Sequence, residues 1–254
     1  MKRTLVKKIA LSLALAAAAG STLTACGSSS SAGEKTLTVF AASSLKGTFT
    51  SLAATFEASH PGVKVVFDFD GSAALVTQIK AGAPADVFAS AATKNMTALG
   101  ATAVSPKDFA TNVLEIAAPS GNPAHVTDLS DLARSGLKLV VCDPAVPCGA
   151  AAATLATKNH LTLSPVSKEQ SVAGVLSKVE TGQADAGLVY VTDVKSAGSK
   201  VVGIAIPKAD NVTSTYPIAV LSSAAQTTLA QQWVAFVLSS EGQKVLHDAG
   251  FGAA

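Results

Sequence analysis

Four strand–turn–helix junctions can be read along residues 37–182, and that alternation limits the chain to an α/β fold. The first is Leu37-Thr38-Val39-Phe40-Ala41-Ala42-Ser43-Ser44-Leu45, an apolar strand running into two hydroxyls and then a helix. That helix places Leu45, Phe49, Leu52 and Phe56 on one face at the 3.6-residue period. The second runs from residues 63–69 through Asp70-Gly71-Ser72 into a helix facing inward at Leu75, Val76 and Ile79. The third follows a strand at residues 137–141 with Cys142-Asp143-Pro144-Ala145-Val146-Pro147-Cys148-Gly149 and an Ala-rich helix to Lys158. It has no hydroxyl, so it offers only backbone N–H groups near Cys148 and Gly149. The fourth is Glu169-Gln170-Ser171-Val172, with Val172, Val175, Leu176 and Val179 facing inward as far as Gly182.

Further strands are expected at residues 87–89, 113–119, 187–191, 201–206 and 218–221, and further helices at 128–134, 226–238 and 241–249. The strand at 187–191 delivers Tyr190 near its C-terminal end. Strands alternating with helices predict a parallel sheet, and such sheets bind ligands at the carboxyl ends of their strands. Helix N-termini there expose unbonded N–H groups and the positive end of the helix dipole, which together suit an anion. Taken alone, Ser43 or Ser44 reads equally as a helix cap; the recurrence of the arrangement argues for a site. No Lys or Arg stands at these junctions, so partial charges and hydroxyl donors must hold the ligand. That points to a small, fully ionised oxyanion and to binding rather than catalysis.

The chain opens with a targeting pattern. Lys2, Arg3, Lys7 and Lys8 precede an apolar run at residues 9–19, too short for a membrane span and of the size of a signal h-region. It ends in Leu23-Thr24-Ala25-Cys26, similar to a bacterial lipobox, which implies cleavage before Cys26 and lipid on the new N-terminus. An ordinary signal peptide with an incidental cysteine is the alternative. Residues 1–25 are thus read as leader and 26–34 as the lipidated cysteine with a Ser/Gly tether. The leader holds four of the 19 basic residues, so 15 remain against 17 acidic ones, a net of −2. With no basic cluster interleaved with aromatics, nucleic acid is not an expected partner. Cys142 and Cys148, in a Cys-x5-Cys spacing, read as a disulfide in an exported protein, with two free thiols as the alternative. That spacing lacks the second ligand pair of a zinc site.

Catalytic signatures are absent. Gly-x-Ser-x-Gly, Gly-x-x-x-x-Gly-Lys and Gly-x-Gly-x-x-Gly do not occur, and His60, His125, His160 and His247 are scattered without ligand spacing. Asp68 and Asp70 share a strand face but have no third ligand, so they carry no metal expectation.

The junctions and the Tyr190 strand resemble those of the periplasmic molybdate-binding proteins of ABC importers. The matching stretches are Val39-Phe40-Ala41-Ala42-Ser43-Ser44-Leu45, Gln78-Ile79-Lys80-Ala81-Gly82-Ala83-Pro84-Ala85-Asp86-Val87-Phe88, Asp143-Pro144 with Val146-Pro147-Cys148-Gly149, Val172 with its helix, and Val179-Glu180-Thr181-Gly182 leading to Val189-Tyr190-Val191-Thr192-Asp193. The resemblance implies a two-lobe periplasmic-binding-protein fold of type II, with the ligand between lobes at about 35–113 plus 217–254 and 114–216. It implies a tetrahedral oxyanion held by the hydroxyls of Ser44, Ser72 and Tyr190 and by the N–H groups of Cys148 and Val172. The only metal involved is then the molybdenum inside the anion, and no cofactor or catalytic residue is expected. The implied protein is a monomer anchored by lipid to the outer face of the cell membrane, binding molybdate and tungstate and passing them to an ABC permease.

Two positions depart from the family pattern. Asp70-Gly71 replaces a run of small or serine residues, so either Asp70 points away from a bound dianion or the site is altered. Cys148 stands where alanine is common, which matters little if only its N–H is used. The rival readings are a sulfate or phosphate binder on the same fold, an exported serine hydrolase using Ser43 or Ser44, and a sensor or adhesion lipoprotein with a vestigial site.

Overall fold

The computed structural model describes residues 34–254; the expected leader, Cys26 and tether lie outside the described residues, apart from Glu34. In chain order the elements are β1 (Lys35–Ala42), a 3-10 turn (Ser43–Leu45), α1 (Lys46–Ser59), β2 (Val63–Asp70), α2 (Ser72–Lys80), β3 (Val87–Ala89), α3 (Thr93–Thr97) and β4 (Ala103–Pro119). They continue with β5 (Leu139–Cys142), α4 (Pro147–Lys158), β6 (Ser167–Glu169), α5 (Val172–Glu180), β7 (Ala186–Tyr190), α6 (Val191–Ala197), β8 (Val201–Ala205), β9 (Thr213–Leu221), α7 (Thr227–Leu238) and α8 (Ser240–Asp248).

The strand order is β2-β1-β3-β9-β4-β7-β5-β6, with β8 added on β4. Parallel pairing holds for β1 with β2 and β3, and for β5 with β6 and β7. The sheet as a whole is mixed, because β9 runs antiparallel to β3 and β4, and β4 antiparallel to β7 and β8. An all-parallel expectation is therefore corrected. Each half is built from parallel β–α units, and the long strands that join the halves run against them.

β4 makes the join. Its first part pairs with β9 from Ala103↔Leu221 to Val113↔Thr213, and its last part pairs with β7 and β8 from Leu114 to Pro119. The sequence pattern suggested a strand only from residue 113. Pro106 lacks an N–H for the ladder, and the register shifts between Val104 and Lys107, with Ser105 at φ 46°. Most of that stretch is exposed, so the hydrophobic alternation that marks a strand is missing.

The cores divide along the same line. On β1, Leu37, Val39 and Ala41 face a core with Phe49, Leu52, Phe56 and Trp233, while Phe40 faces a second core with Leu75, Phe88 and Leu221. Period-two alternation places these side chains on opposite faces of one sheet. The third core begins at Leu114 and gathers β5, β7, α4 and α5. Asp86, at the end of the Ala-Gly-Ala-Pro-Ala-Asp stretch, is buried and holds the fold together. Its carboxylate accepts from Thr38 N (2.8 Å) and from Gln226 N (2.9 Å), tying β1 to the start of α7.

Among the described residues no helix is long and apolar enough to cross a membrane.

Candidate functional site

The carboxyl ends of β1, β2, β5 and β7 open onto one small cavity of about 10 Å³, lined in part by Ser44, Ser72, Cys148, Val172 and Tyr190. These five residues, taken from the sequence, come from both halves of the molecule and meet at one point. A cavity of this size is on the scale of a single water-sized sphere.

Ser72 is the first residue of α2 and is buried. Its Oγ accepts from Ala91 N at 3.0 Å, which occupies a lone pair and leaves the hydroxyl proton free to donate. Ser44 sits in a 3-10 turn ahead of α1, not at the α-helix start that the sequence pattern suggested. Its Oγ lies 3.0 Å from the hydroxyl of Tyr216, a fully buried residue of β9. Burial pushes the Tyr216 phenol well above its usual value, and the neighbouring Tyr190 adds to the shift, so it stays a neutral donor. Either hydroxyl can donate in this pair; when Tyr216 does, the Ser44 proton is left to donate into the cavity.

Tyr216 was not expected at the site. It stands 172 positions from Ser44, inside a run whose polar start hid the strand, and no local motif marks it.

The third and fourth junctions supply backbone donors. Pro147 opens α4, where its missing N–H costs nothing. The first bond of that helix runs from Ala150 N to Val146 O (2.9 Å), so Cys148 N lies ahead of the ladder. Cys148 is joined by a disulfide to Cys142 at the end of β5, which closes the loop beneath the helix start. At α5, Ser171 caps the helix by accepting from Gly174 N (3.4 Å), leaving Val172 N unbonded within the helix.

Tyr190 is the last residue of β7 and is almost wholly buried. Burial raises its phenol to about 12, only partly offset by the nearby hydroxyls of Ser214 and Tyr216. Its Oη has no hydrogen-bond partner. Buried polar atoms are nearly always paired; Trp233 Nε1 is likewise unpaired but lies in the core, whereas Tyr190 borders the cavity, where an acceptor could meet its hydroxyl. Tyr190 N donates to Asp193 Oδ2 at 2.9 Å, and burial raises the Asp193 carboxyl to about 7. Asp193 belongs to the Val-Tyr-Val-Thr-Asp stretch, but its buried position under Tyr190 appears only in three dimensions.

The lining includes no Lys, Arg or His. The electrostatics come from helix ends, each equivalent to about half a positive charge, and from hydroxyl dipoles. Asp70 is the one carboxylate there. It borders the cavity, and its Oδ1 accepts from its neighbour's amide, Gly71 N, at 2.7 Å. Of the histidines, His60 is occupied elsewhere, its ring stacked 4.0 Å from that of Phe56. No cluster of three metal-ligating side chains occurs among the described residues.

The model for the bacterial extracellular solute-binding proteins matches residues 37–252. The chain belongs to this family. Its members bind solutes outside the cell and are not enzymes. A relative from Mycobacterium tuberculosis, the molybdate-binding protein ModA, is 46% identical over 240 residues, spanning 90% of this chain and 92% of its own length. A putative ABC transporter substrate-binding lipoprotein of Bacillus subtilis, YvgL, is 32% identical over 228 residues and covers 86% of each chain. Among solved structures, the periplasmic molybdate-binding protein of Azotobacter vinelandii superposes with a TM-score of 0.77 at 23% identity, covering 86% of this chain and 99% of its own. That likeness bears on the fold: two α/β halves joined by long strands, as in this solute-binding protein.

Proposed function

We propose that this solute-binding protein captures molybdate and tungstate outside the cytoplasmic membrane and delivers them to an ABC permease. The observation that carries the reading is the unpartnered Tyr190 Oη, buried in a small cavity toward which hydroxyls and helix N-termini converge without a single cationic side chain. In the proposed complex the hydroxyls of Ser44, Ser72 and Tyr190 and the N–H groups of Cys148 and Val172 donate to the four oxygens. Molybdate is the cargo, not a cofactor. The 46% identical mycobacterial relative, named as a molybdate binder, supports the choice of anion.

Molybdate and tungstate have the same charge and similar size, so a cage of donors separates them poorly. Sulfate is smaller, and its oxygens would fall short of donors placed for the larger ion. In this reading lobes at about 35–113 with 217–254 and at 114–216 hinge about β4 and β9 and close on the ion. Cys26 carries the lipid that holds a monomer to the outer face of the membrane.

The test is thermal unfolding of the mature chain with and without molybdate, tungstate, sulfate or phosphate. A ligand at 100 times its Kd adds about 2.7 kcal/mol, or roughly 5–10 °C for a domain of this size. Shifts with molybdate and tungstate alone are expected. A shift only with sulfate or phosphate would change the cargo, and no shift with any oxyanion would overturn the reading.

A further inference from the structure

A close approach between the two halves beside the cavity is made by a residue with no side chain. Gly71 links β2 to α2, and a Cβ built on it would fall against the carbonyl oxygen of Gln170, well inside the 3.0 Å that real Cβ atoms essentially never breach. The next contacts are the Gln170 carbonyl carbon at 3.3 Å and the Ser171 side chain at 3.7 Å. Gly71 belongs to the half built on β1–β3, whereas Gln170 and Ser171 lead from β6 into α5 in the other half. Both sides of this contact touch the site. Gly71 is followed directly by Ser72, and Gln170 and Ser171 lead directly into Val172.

The glycine is not there for its backbone torsions. Gly71 has φ −61° and ψ 134°, an extended conformation open to any residue. Nor is the obstacle a flexible side chain that could swing aside, because the opposing atom is backbone. We infer that Gly71 sets how far the two halves close, and is thereby a specificity-determining residue for the oxyanion; this rests on the binding reading above. Any side chain at position 71 would hold the halves apart on the order of 1 Å. That is enough to move donors out of the range of about 2.7–3.2 Å in which they bond well. Donors from one half would keep the ion while those from the other half lost it.

The test is Gly71→Ala, with Gly47→Ala as control. A Cβ at Gly47 would meet Ser196 Oγ at 3.6 Å, an ordinary contact. Ligand-free thermal midpoints of Gly71→Ala and wild type should agree, or the variant should be slightly the more stable, since Gly→Ala at compatible torsions restricts the unfolded chain. Calorimetric titration with molybdate should then show Gly71→Ala weaker by at least about tenfold, the scale of one lost hydrogen bond to a charged group, with Gly47→Ala near wild type. X-ray scattering should show wild type and Gly47→Ala contracting with molybdate and Gly71→Ala contracting less. Unchanged affinity and full contraction in Gly71→Ala would overturn the inference. If wild type bound none of molybdate, tungstate, sulfate or phosphate, the binding reading would fall. The closure contact would then be read from ligand-free scattering, where Gly71→Ala must be the more expanded and an unchanged profile would overturn it.

Discussion

Tyr190→Phe separates binding from stability because it should move them in opposite directions. The substitution removes one atom, Oη, from a side chain that is almost wholly buried and keeps the ring in place. In the empty protein that atom has no partner. A buried unsatisfied hydroxyl costs about 1–3 kcal/mol, so its removal should stabilise the ligand-free protein, by up to about that amount. At about 2–4 °C per kcal/mol the midpoint rises by several degrees. In the complex the same atom is a neutral donor, with its phenol raised to about 12, and it meets a dianion away from water. Losing a hydrogen bond to a charged group costs about 1.5–3 kcal/mol, a fall in affinity of roughly 10- to 150-fold. Calorimetric titration with molybdate and thermal unfolding without it read the two effects separately. An unchanged Kd would remove Tyr190 from the site. A lower ligand-free midpoint would show that Oη is satisfied in the empty protein, and would remove the observation on which the binding reading rests.

Ser72→Ala differs in sign, because Ser72 Oγ already accepts from Ala91 N: it should lose affinity and also destabilise the empty protein by about 1–3 kcal/mol, as seen in denaturant unfolding. Replacing Cys142 and Cys148 together by serine opens a loop with a sequence separation of six, which should lower stability by roughly 2–2.5 kcal/mol, with molybdate binding kept if only Cys148 N is used; a complete loss of binding would show that the bridge positions the helix start. The Asp193 carboxyl is raised by burial from 3.8 to about 7, so between those values the folded state binds more protons than the unfolded one. Its contribution to stability is therefore largest below pH 4 and is lost as pH rises toward 7. Unfolding midpoints of wild type and Asp193→Asn across that range should change relative to each other in that direction, and parallel profiles would refute the shift.

Much of the fold can be read along the chain because local periodicity carries it. The face formed by Leu45, Phe49, Leu52 and Phe56 is wholly buried, and β3 covers the same residues 87–89 that the pattern marked. The patterned parts fail where tertiary pairing overrides local preference. β4 passes through Pro106 and a charged, exposed stretch, and it stays extended because β9 pairs with it on one side. α6 follows Tyr190 directly, with Asp193 accepting from the N–H of Tyr190 itself, whereas the sequence pattern runs the strand one residue further, to 191.

The candidate site divides in the same way. Strand-to-helix junctions with small or hydroxylated residues are local events, so the four junctions could be read from one-dimensional pattern, while the particular residues Ser44, Ser72, Cys148, Val172 and Tyr190 come from resemblance. Their donors follow from where helices begin, which capping residues and proline at the first helical position signal in the chain itself. That they face one cavity is decided by the order of strands across two half-sheets, which no local window holds. The Ser44–Tyr216 pair spans 172 positions, and the Gly71–Gln170 approach brings two backbones together from opposite halves. Both depend on how the halves pack. Hydrogen-bond and van der Waals energies change over fractions of an ångström, whereas residue patterns specify only faces and periods. The sequence by itself determined the kinds of donor and the absence of cations; the tertiary structure alone decided which donor is free, which is occupied, and how closely the site can shut.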